Sequence, residues 1–296
     1  MKIIIIGSKG FVGSACVAKL ASEHDVIGAD IVLSSEPAYI HISNKGSLED
    51  LFKSNLYDVC INASGSANVG FSFANVQKDH ELNVDNVKVM LDAIATFQPS
   101  CKFINFSSAA VYGNPISLPI GENSATTPLS PYGQHKLESE KLLHASHTDS
   151  GLSTCSLRVF SAYGPRLYKQ LFWDIFQKWK NTSSITLFGT GNESRDFIFI
   201  DDLIFAVESV IKNAKFHGEV INVASGKETT IRLAASMFLD ILAKPYELSF
   251  SGEEKPGDPI NWCADITTLK AIGFVPVVDL ETGLRATVLE YLASGK

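Results

Sequence analysis

Nothing in this chain supplies a basic surface. Its 25 lysines and arginines are outnumbered by 32 acidic residues, for a net charge of −7. That balance argues against a nucleic-acid partner, though a few local cations could still meet a phosphate-bearing small ligand. Cysteine is scarce. Cys16, Cys60, Cys101, Cys155 and Cys263 make an odd total of five, and none stands in a CxxC pair. Small buried hydrophobes in a reducing cytoplasm account for them better than a disulfide framework or a zinc site. Long apolar runs are also missing. The run that begins after Lys2 ends at Gly7, far short of the ~18–20 residues a membrane span requires. It is also too short for a signal peptide. The expectation is a cytoplasmic protein with no membrane partner. No HxxxH or Cys/His spacing marks a metal, and neither an internal repeat nor a low-complexity segment occurs.

What is present is apolar and periodic. Apolar residues make up 45% of the 296 positions, ample for a large core. Short apolar runs at 2–6, 25–29, 59–62, 102–106 and 153–160 read as strands. Amphipathic segments at 12–22, 47–54, 81–97 and 132–147 read as helices between them. This alternation predicts an α/β, Rossmann-type doubly wound parallel sheet. From 161 to 194 the pattern loosens into loops, and a strand and a helix return at 219–224 and 230–242. The expected division is a dinucleotide-binding domain at 1–160 and a smaller C-terminal substrate lobe at 161–296, with a return to the sheet at about 203–228.

Gly7-Ser8-Lys9-Gly10-Phe11-Val12-Gly13 follows the first strand directly and opens the first helix. Gly7 allows the tight turn, Gly10 lets backbone amides approach a pyrophosphate, and Gly13 lets helix and strand pack closely. The helix N-terminus offers the phosphates unpaired N–H groups at Phe11 and Val12, and a positive dipole end. Three glycines alone are a common turn signature, but Asp30 closes the second strand 17 residues after Gly13. A carboxylate there accepts the adenosine ribose hydroxyls and repels a 2′-phosphate, so the expected cofactor is NAD and not NADP.

Two further segments carry chemistry. Phe106-Ser107-Ser108-Ala109-Ala110-Val111-Tyr112-Gly113 follows a strand, and Ser130-Pro131-Tyr132-Gly133-Gln134-His135-Lys136 opens a helix. Tyr132 and Lys136 stand four apart and share a helical face. A free phenol, with a pKa of about 10, is a poor base at neutral pH. A neighbouring ammonium and an oxidised nicotinamide both favour its ionisation. A surface helix could show the same pair by chance, but here it follows a glycine loop, an acidic strand end and an SSxxVYG segment, in that order.

With these segments in place the chain resembles the extended short-chain dehydrogenase/reductases, the sugar-nucleotide epimerase/dehydratase family. Further segments that carry the resemblance are Arg158-Val159-Phe160-Ser161-Ala162-Tyr163-Gly164-Pro165-Arg166, Arg195-Asp196-Phe197-Ile198 and Pro256-Gly257-Asp258-Pro259. The resemblance implies Ser108, Tyr132 and Lys136 as the catalytic set. It implies Gly7, Gly10, Phe11, Val12, Gly13, Asp30, Ala63, Ser64, Tyr132 and Lys136 around NAD. Ser108, Ser161, Arg195 and Asp258 would meet a nucleotide-sugar substrate, with Arg195 on its diphosphate. The chain departs from the family at Ser161, where asparagine is usual, and near Ile42–Ser43, where an adenine-contacting aspartate is absent.

Three reactions share this machinery: 4-epimerisation, 4,6-dehydration and reduction of a 4-keto sugar. The family's dehydratases carry Asp-Glu after the catalytic Ser or Thr. Here Ala109 and Ala110 occupy those positions and transfer no protons. Asp30 argues against the NADP that many such reductases use. Epimerisation is the favoured reading, a 4-keto reductase the next, and an idle NAD or nucleotide-sugar binding protein the third. The resemblance also implies a homodimer built on the helices at 81–97 and 132–147. Val84, Val87, Leu91 and Ile94 on one, with Leu137, Leu142 and Leu143 on the other, supply apolar positions at helical spacing. Trp173 and Trp179 are expected to pack rather than to stack on a ligand.

Overall fold

The computed structural model describes residues 1–296. The first half runs β1 (Lys2–Ile6), α1 (Phe11–Leu20), β2 (Asp25–Asp30), β3 (Tyr39–His41), α2 (Lys45–Ser54) and β4 (Val59–Asn62). It continues through α3 (Val69–Ala74), α4 (Val76–His80), α5 (Asn86–Phe97), β5 (Lys102–Ser108), α6 (Pro131–Ser150) and β6 (Thr154–Val159). After these come β7 (Ser161–Tyr163), α7 (Gln170–Asn181), β8 (Ser184–Leu187), β9 (Ser194–Phe199), α8 (Ile200–Asn213) and β10 (His217–Val223). The chain ends with β11 (Glu228–Thr230), α9 (Ile231–Leu242), β12 (Glu247–Phe250), α10 (Thr267–Ala271) and α11 (Leu280–Ala293).

The central sheet has seven strands in the order β3-β2-β1-β4-β5-β6-β10, all parallel. Both faces are covered, which is why β1 is apolar from Ile3 to Ile6 instead of alternating. Ile3 and Ile5 belong to one hydrophobic cluster, with α1 and α8, and Ile4 and Ile6 to the other, with α2 and α5. Burying each such side chain is worth about 1.5–3 kcal/mol, so the register of β1 is firmly fixed. The strand order reverses between β1 and β4, and a crevice outside their carboxyl ends is where such sheets bind ligands.

Away from this sheet, β7, β9 and β11 form a three-stranded sheet, and β8 pairs with β12. β9 and α7 lie where the sequence reads as loops or ends them. α7 holds Phe172, Trp173, Phe176 and Trp179, which pack with Tyr168, Phe238 and Tyr291 in an aromatic cluster. No helix is long and apolar enough to cross a membrane.

Two expectations need correction. The helix read at 81–97 is regular only from Asn86; Glu81–Asp85 is a π turn. A π turn inserts an extra residue and rotates the helical face that follows. The apolar stripe read as a dimer face is core. Val84, Val87, Leu91, Ile94 and Leu143 are all buried within the chain, while Leu137 and Leu142 pack against it. The outward side of α5 carries Lys88 and Asp92 instead, paired with each other at 2.8 Å.

Candidate active site

The crevice begins at the loop between β1 and α1. A Cβ on Gly13 would stand 2.1 Å from the Gly7 carbonyl oxygen, and Gly7 itself has φ of +83°. Any side chain at Gly13 would push the helix off the strand, so glycine is required for the close approach. Gly10 caps α1 without a side-chain bond, leaving the amides of Phe11, Val12 and Gly13 free at the helix mouth. Across the loop, the Asp30 carboxylate accepts the Lys9 amide at 2.8 Å and the Val32 amide at 3.2 Å. It is thereby fixed at the tip of β2, with acceptor capacity left for ribose hydroxyls.

The second wall is the end of β4. Ala63 donates its amide to the Ile6 carbonyl at 2.8 Å, and Ser64 donates its amide and hydroxyl to Asn62. Asn62 in turn donates to Asn105 at 2.8 Å, and Asn105 to Ser139 on α6. This amide chain ties the ends of β4 and β5 to the helix that carries Tyr132.

Asn83, which the sequence reading missed, lies in the π turn. It is buried, yet neither atom of its side-chain amide has a hydrogen-bond partner. It faces Gly65, where a Cβ would come within 2.5 Å of the Asn83 oxygen. An unpaired buried amide costs about 1–3 kcal/mol, so its pairing groups come from outside the chain. With the free helix mouth and the fixed Asp30, these residues fit a dinucleotide. No local signal separates Asn83 from its polar neighbours Glu81, Asp85 and Asn86 in the same helical stretch.

Ser108 ends β5, where its hydroxyl accepts the Ala110 amide at 3.2 Å and caps a short 3₁₀ turn. α6 starts on a Ser130 cap with Pro131 following, a favoured helix opening. Gly133 lets α6 press onto the Ser108 loop, since a Cβ there would lie 2.6 Å from the Ala110 carbonyl. That contact places Tyr132 beside Ser108. Burial pushes the Tyr132 phenol up to about 12, with the Ser108 hydroxyl opposing the shift. Lys136 donates to the Phe106 carbonyl at 2.9 Å and sits 5.9 Å from the centre of the Tyr132 ring. Burial lowers its ammonium to about 8, while Asp79 and Glu140 act in the other direction. Ser108, Tyr132 and Lys136 are therefore one constellation at the carboxyl end of β5.

The proposed substrate residues stand on the second sheet and its return loop. Ser161 starts β7 opposite Phe197 of β9. Arg195 donates to the carbonyls of Ser194 and Ile260 and lies 5.6 Å from the Trp262 ring centre. Burial pulls its guanidinium down, and Asp258 counters that. The loop before the exposed Asp258 returns to α6: a Cβ on Gly257 would lie 3.4 Å from Ser130. Arg195 is thus half used by backbone carbonyls, with the rest of its fork free.

Asp30 makes a measurable difference. Binding is expected to favour NAD(H) over NADP(H) by at least tenfold, about 1.4 kcal/mol, because a 2′-phosphate would face a carboxylate. Isothermal titration giving equal or tighter NADP(H) binding would overturn the reading of Asp30.

A model of the NAD dependent epimerase/dehydratase family matches residues 3–224. Among curated relatives, an uncharacterized UDP-glucose epimerase of Bacillus subtilis, YtcB, is 29% identical over 99% of this chain and 98% of its own. A UDP-N-acetylglucosamine 4-epimerase of Methanobrevibacter ruminantium, solved with UDP-N-acetylmuramic acid, superposes with a TM-score of 0.89 at 28% identity, covering 99% and 98% of the two chains. A UDP-glucuronic acid 4-epimerase of Bacillus cereus, solved with UDP-glucuronic acid and NAD, gives 0.90 at 28% identity over 99% and 100%. With the glycine loop, the acidic strand end and the Ser–Tyr–Lys constellation all inside the matched span, the chain belongs to the NAD dependent epimerase/dehydratase family.

Proposed function

We propose that this protein is a UDP-sugar 4-epimerase that works with resident NAD. The observation that carries the proposal is the Ser108–Tyr132–Lys136 constellation followed by Ala109 and Ala110. Acid–base equipment for oxidation at C4 is in place, and no carboxyl group follows Ser108 to expel water from C5 and C6. The similar proteins named above, described as acting on UDP-glucose, UDP-N-acetylglucosamine or UDP-glucuronic acid, support the UDP-sugar class.

When bound, NAD supplies the acceptor and then the donor of hydride at sugar C4. Tyr132 takes the proton of the 4-hydroxyl while Ser108 holds the same oxygen. The Lys136 ammonium, together with the positive charge that bound NAD would supply, would favour the phenolate and bring the phenol down from its buried value. Once the 4-keto sugar has turned over, Tyr132 returns the proton to the 4-oxygen. Arg195 holds the diphosphate while the sugar turns, which keeps the keto intermediate in the site. The cycle is redox-neutral, so cofactor need not exchange. A cytoplasmic setting, consistent with five free cysteines, belongs to the same proposal.

Purified protein given UDP-glucose, UDP-galactose, their N-acetyl counterparts and the uronic acid pair is expected to interconvert one 4-epimer pair with no net change in NADH absorbance. Stoichiometric consumption of NADH with a 4-keto-6-deoxy nucleotide sugar would replace this reading by a reductase.

A further inference from the structure

The glycine loop and the segment after β2 are joined by an ion pair that the catalytic and cofactor residues named so far do not use. Lys9 donates its backbone amide to the Asp30 carboxylate at 2.8 Å, so its side chain starts beside the group placed to accept the adenosine ribose. The Lys9 ammonium is engaged elsewhere. It meets the Glu36 carboxylate at 2.6 Å and lies 4.9 Å from the centre of the Tyr39 ring. Tyr39 is anchored in turn, opposite Gly28 in the β2–β3 ladder, with its hydroxyl donating to the Asp30 carbonyl at 3.1 Å. The Lys9 side chain is 25% exposed and that of Glu36 62%. An ion pair this open to water adds little to the stability of a fold. Its consequence lies in what the two charges present to a ligand at Asp30.

We propose that Glu36 is a second determinant of cofactor choice, because by holding Lys9 it withdraws a cation, rooted beside Asp30, that could otherwise meet a 2′-phosphate. The 2′-phosphate of NADP would stand where Asp30 accepts a ribose hydroxyl. A lysine rooted there is a ready partner for it, a compact charge on a flexible stem. Left unpaired, Lys9 would form a charge-assisted bond to the phosphate and offset the repulsion from Asp30. Paired with Glu36, its charge is already met, and the second carboxylate makes the potential at this end of the site more negative. Discrimination then comes from a repulsive element set against the wrong ligand as well as from bonds to the right one. NAD, with a hydroxyl in place of the phosphate, gains little from a freed Lys9. The proposal rests on the adenosine ribose lying at Asp30, and on no choice of sugar or reaction.

The test is isothermal titration of the full chain with NADH and with NADPH, read as the ratio of the two affinities. Glu36→Gln, a change at an exposed side chain, is expected to tighten NADPH binding about five- to tenfold while NADH binding stays within about twofold. Adding Lys9→Met to that variant should return the ratio to the wild-type value, because the gain belongs to the freed ammonium. A ratio in Glu36→Gln within about twofold of wild type would overturn the proposal. An equal gain in the double variant would overturn it too, since relief of repulsion from Glu36 would then account for the whole effect. Equal NADH and NADPH binding by the wild type would count against Asp30 alone; the change between wild type and Glu36→Gln still reads Glu36.

Discussion

Replacing Tyr132 by phenylalanine is expected to cost a hundredfold or more in turnover while leaving the fold and NAD affinity in place. Phenylalanine fills the same buried volume on α6, so the contacts of the ring are kept. What is lost is the oxygen facing Ser108, the one acid–base group placed to take the proton of the 4-hydroxyl. A positioned proton-transfer group is worth about 10²–10⁴ in rate. Steady-state rates beside NAD titrations separate the two quantities. A variant with rates within a few fold of wild type would remove Tyr132 from the chemistry.

The largest stability effect is expected at Glu140. Its carboxylate accepts two bonds from Arg158, at 2.9 and 2.7 Å, and one from the Ser107 hydroxyl at 2.5 Å. Arg158 also donates to the Tyr112 hydroxyl and the Glu122 carbonyl, and Tyr112 donates to Asn222 at 2.7 Å. The network joins β5, α6, β6 and β10 beneath the catalytic groups, and both ionic partners are about 95% buried, with 5% of each surface exposed. Glu140→Ala strands the guanidinium among buried groups, and breaking such a pair costs about 3–5 kcal/mol. Urea unfolding would measure it; a loss below about 1 kcal/mol would show the network relaxing around the gap.

How much of this was legible in the sequence follows the range of each signal. Six of the seven strands of the central sheet announced themselves because a parallel strand covered on both faces is a largely apolar run, whereas the edge strand β3, three residues long and partly exposed, showed no such run. The glycine loop, Asp30 and the Tyr132–Lys136 spacing are local patterns with a local cause, and they fall at the carboxyl-end side of the central sheet. β9 opens with Ser194, Arg195 and Asp196 before its apolar half, which masks its pattern. The stripe on α5 showed its true period, yet period does not say what covers a face, and α2 and the sheet cover this one. Asn83 meets Gly65 only after folding. The Asp79–His135 pair joins residues 56 apart, and no spacing rule connects an aspartate on the short α4 to a histidine on the long α6.

The central claim, that one protein-bound cofactor takes a hydride from C4 and gives it back to the other face, has a direct isotopic test. The purified enzyme is given its accepted UDP-hexose with deuterium at C4, and the product is read by NMR and mass spectrometry. The account predicts the 4-epimer with deuterium still on C4 and no net NADH formed. Product that has lost the label from C4, or that forms only as added NADH is consumed, would contradict it.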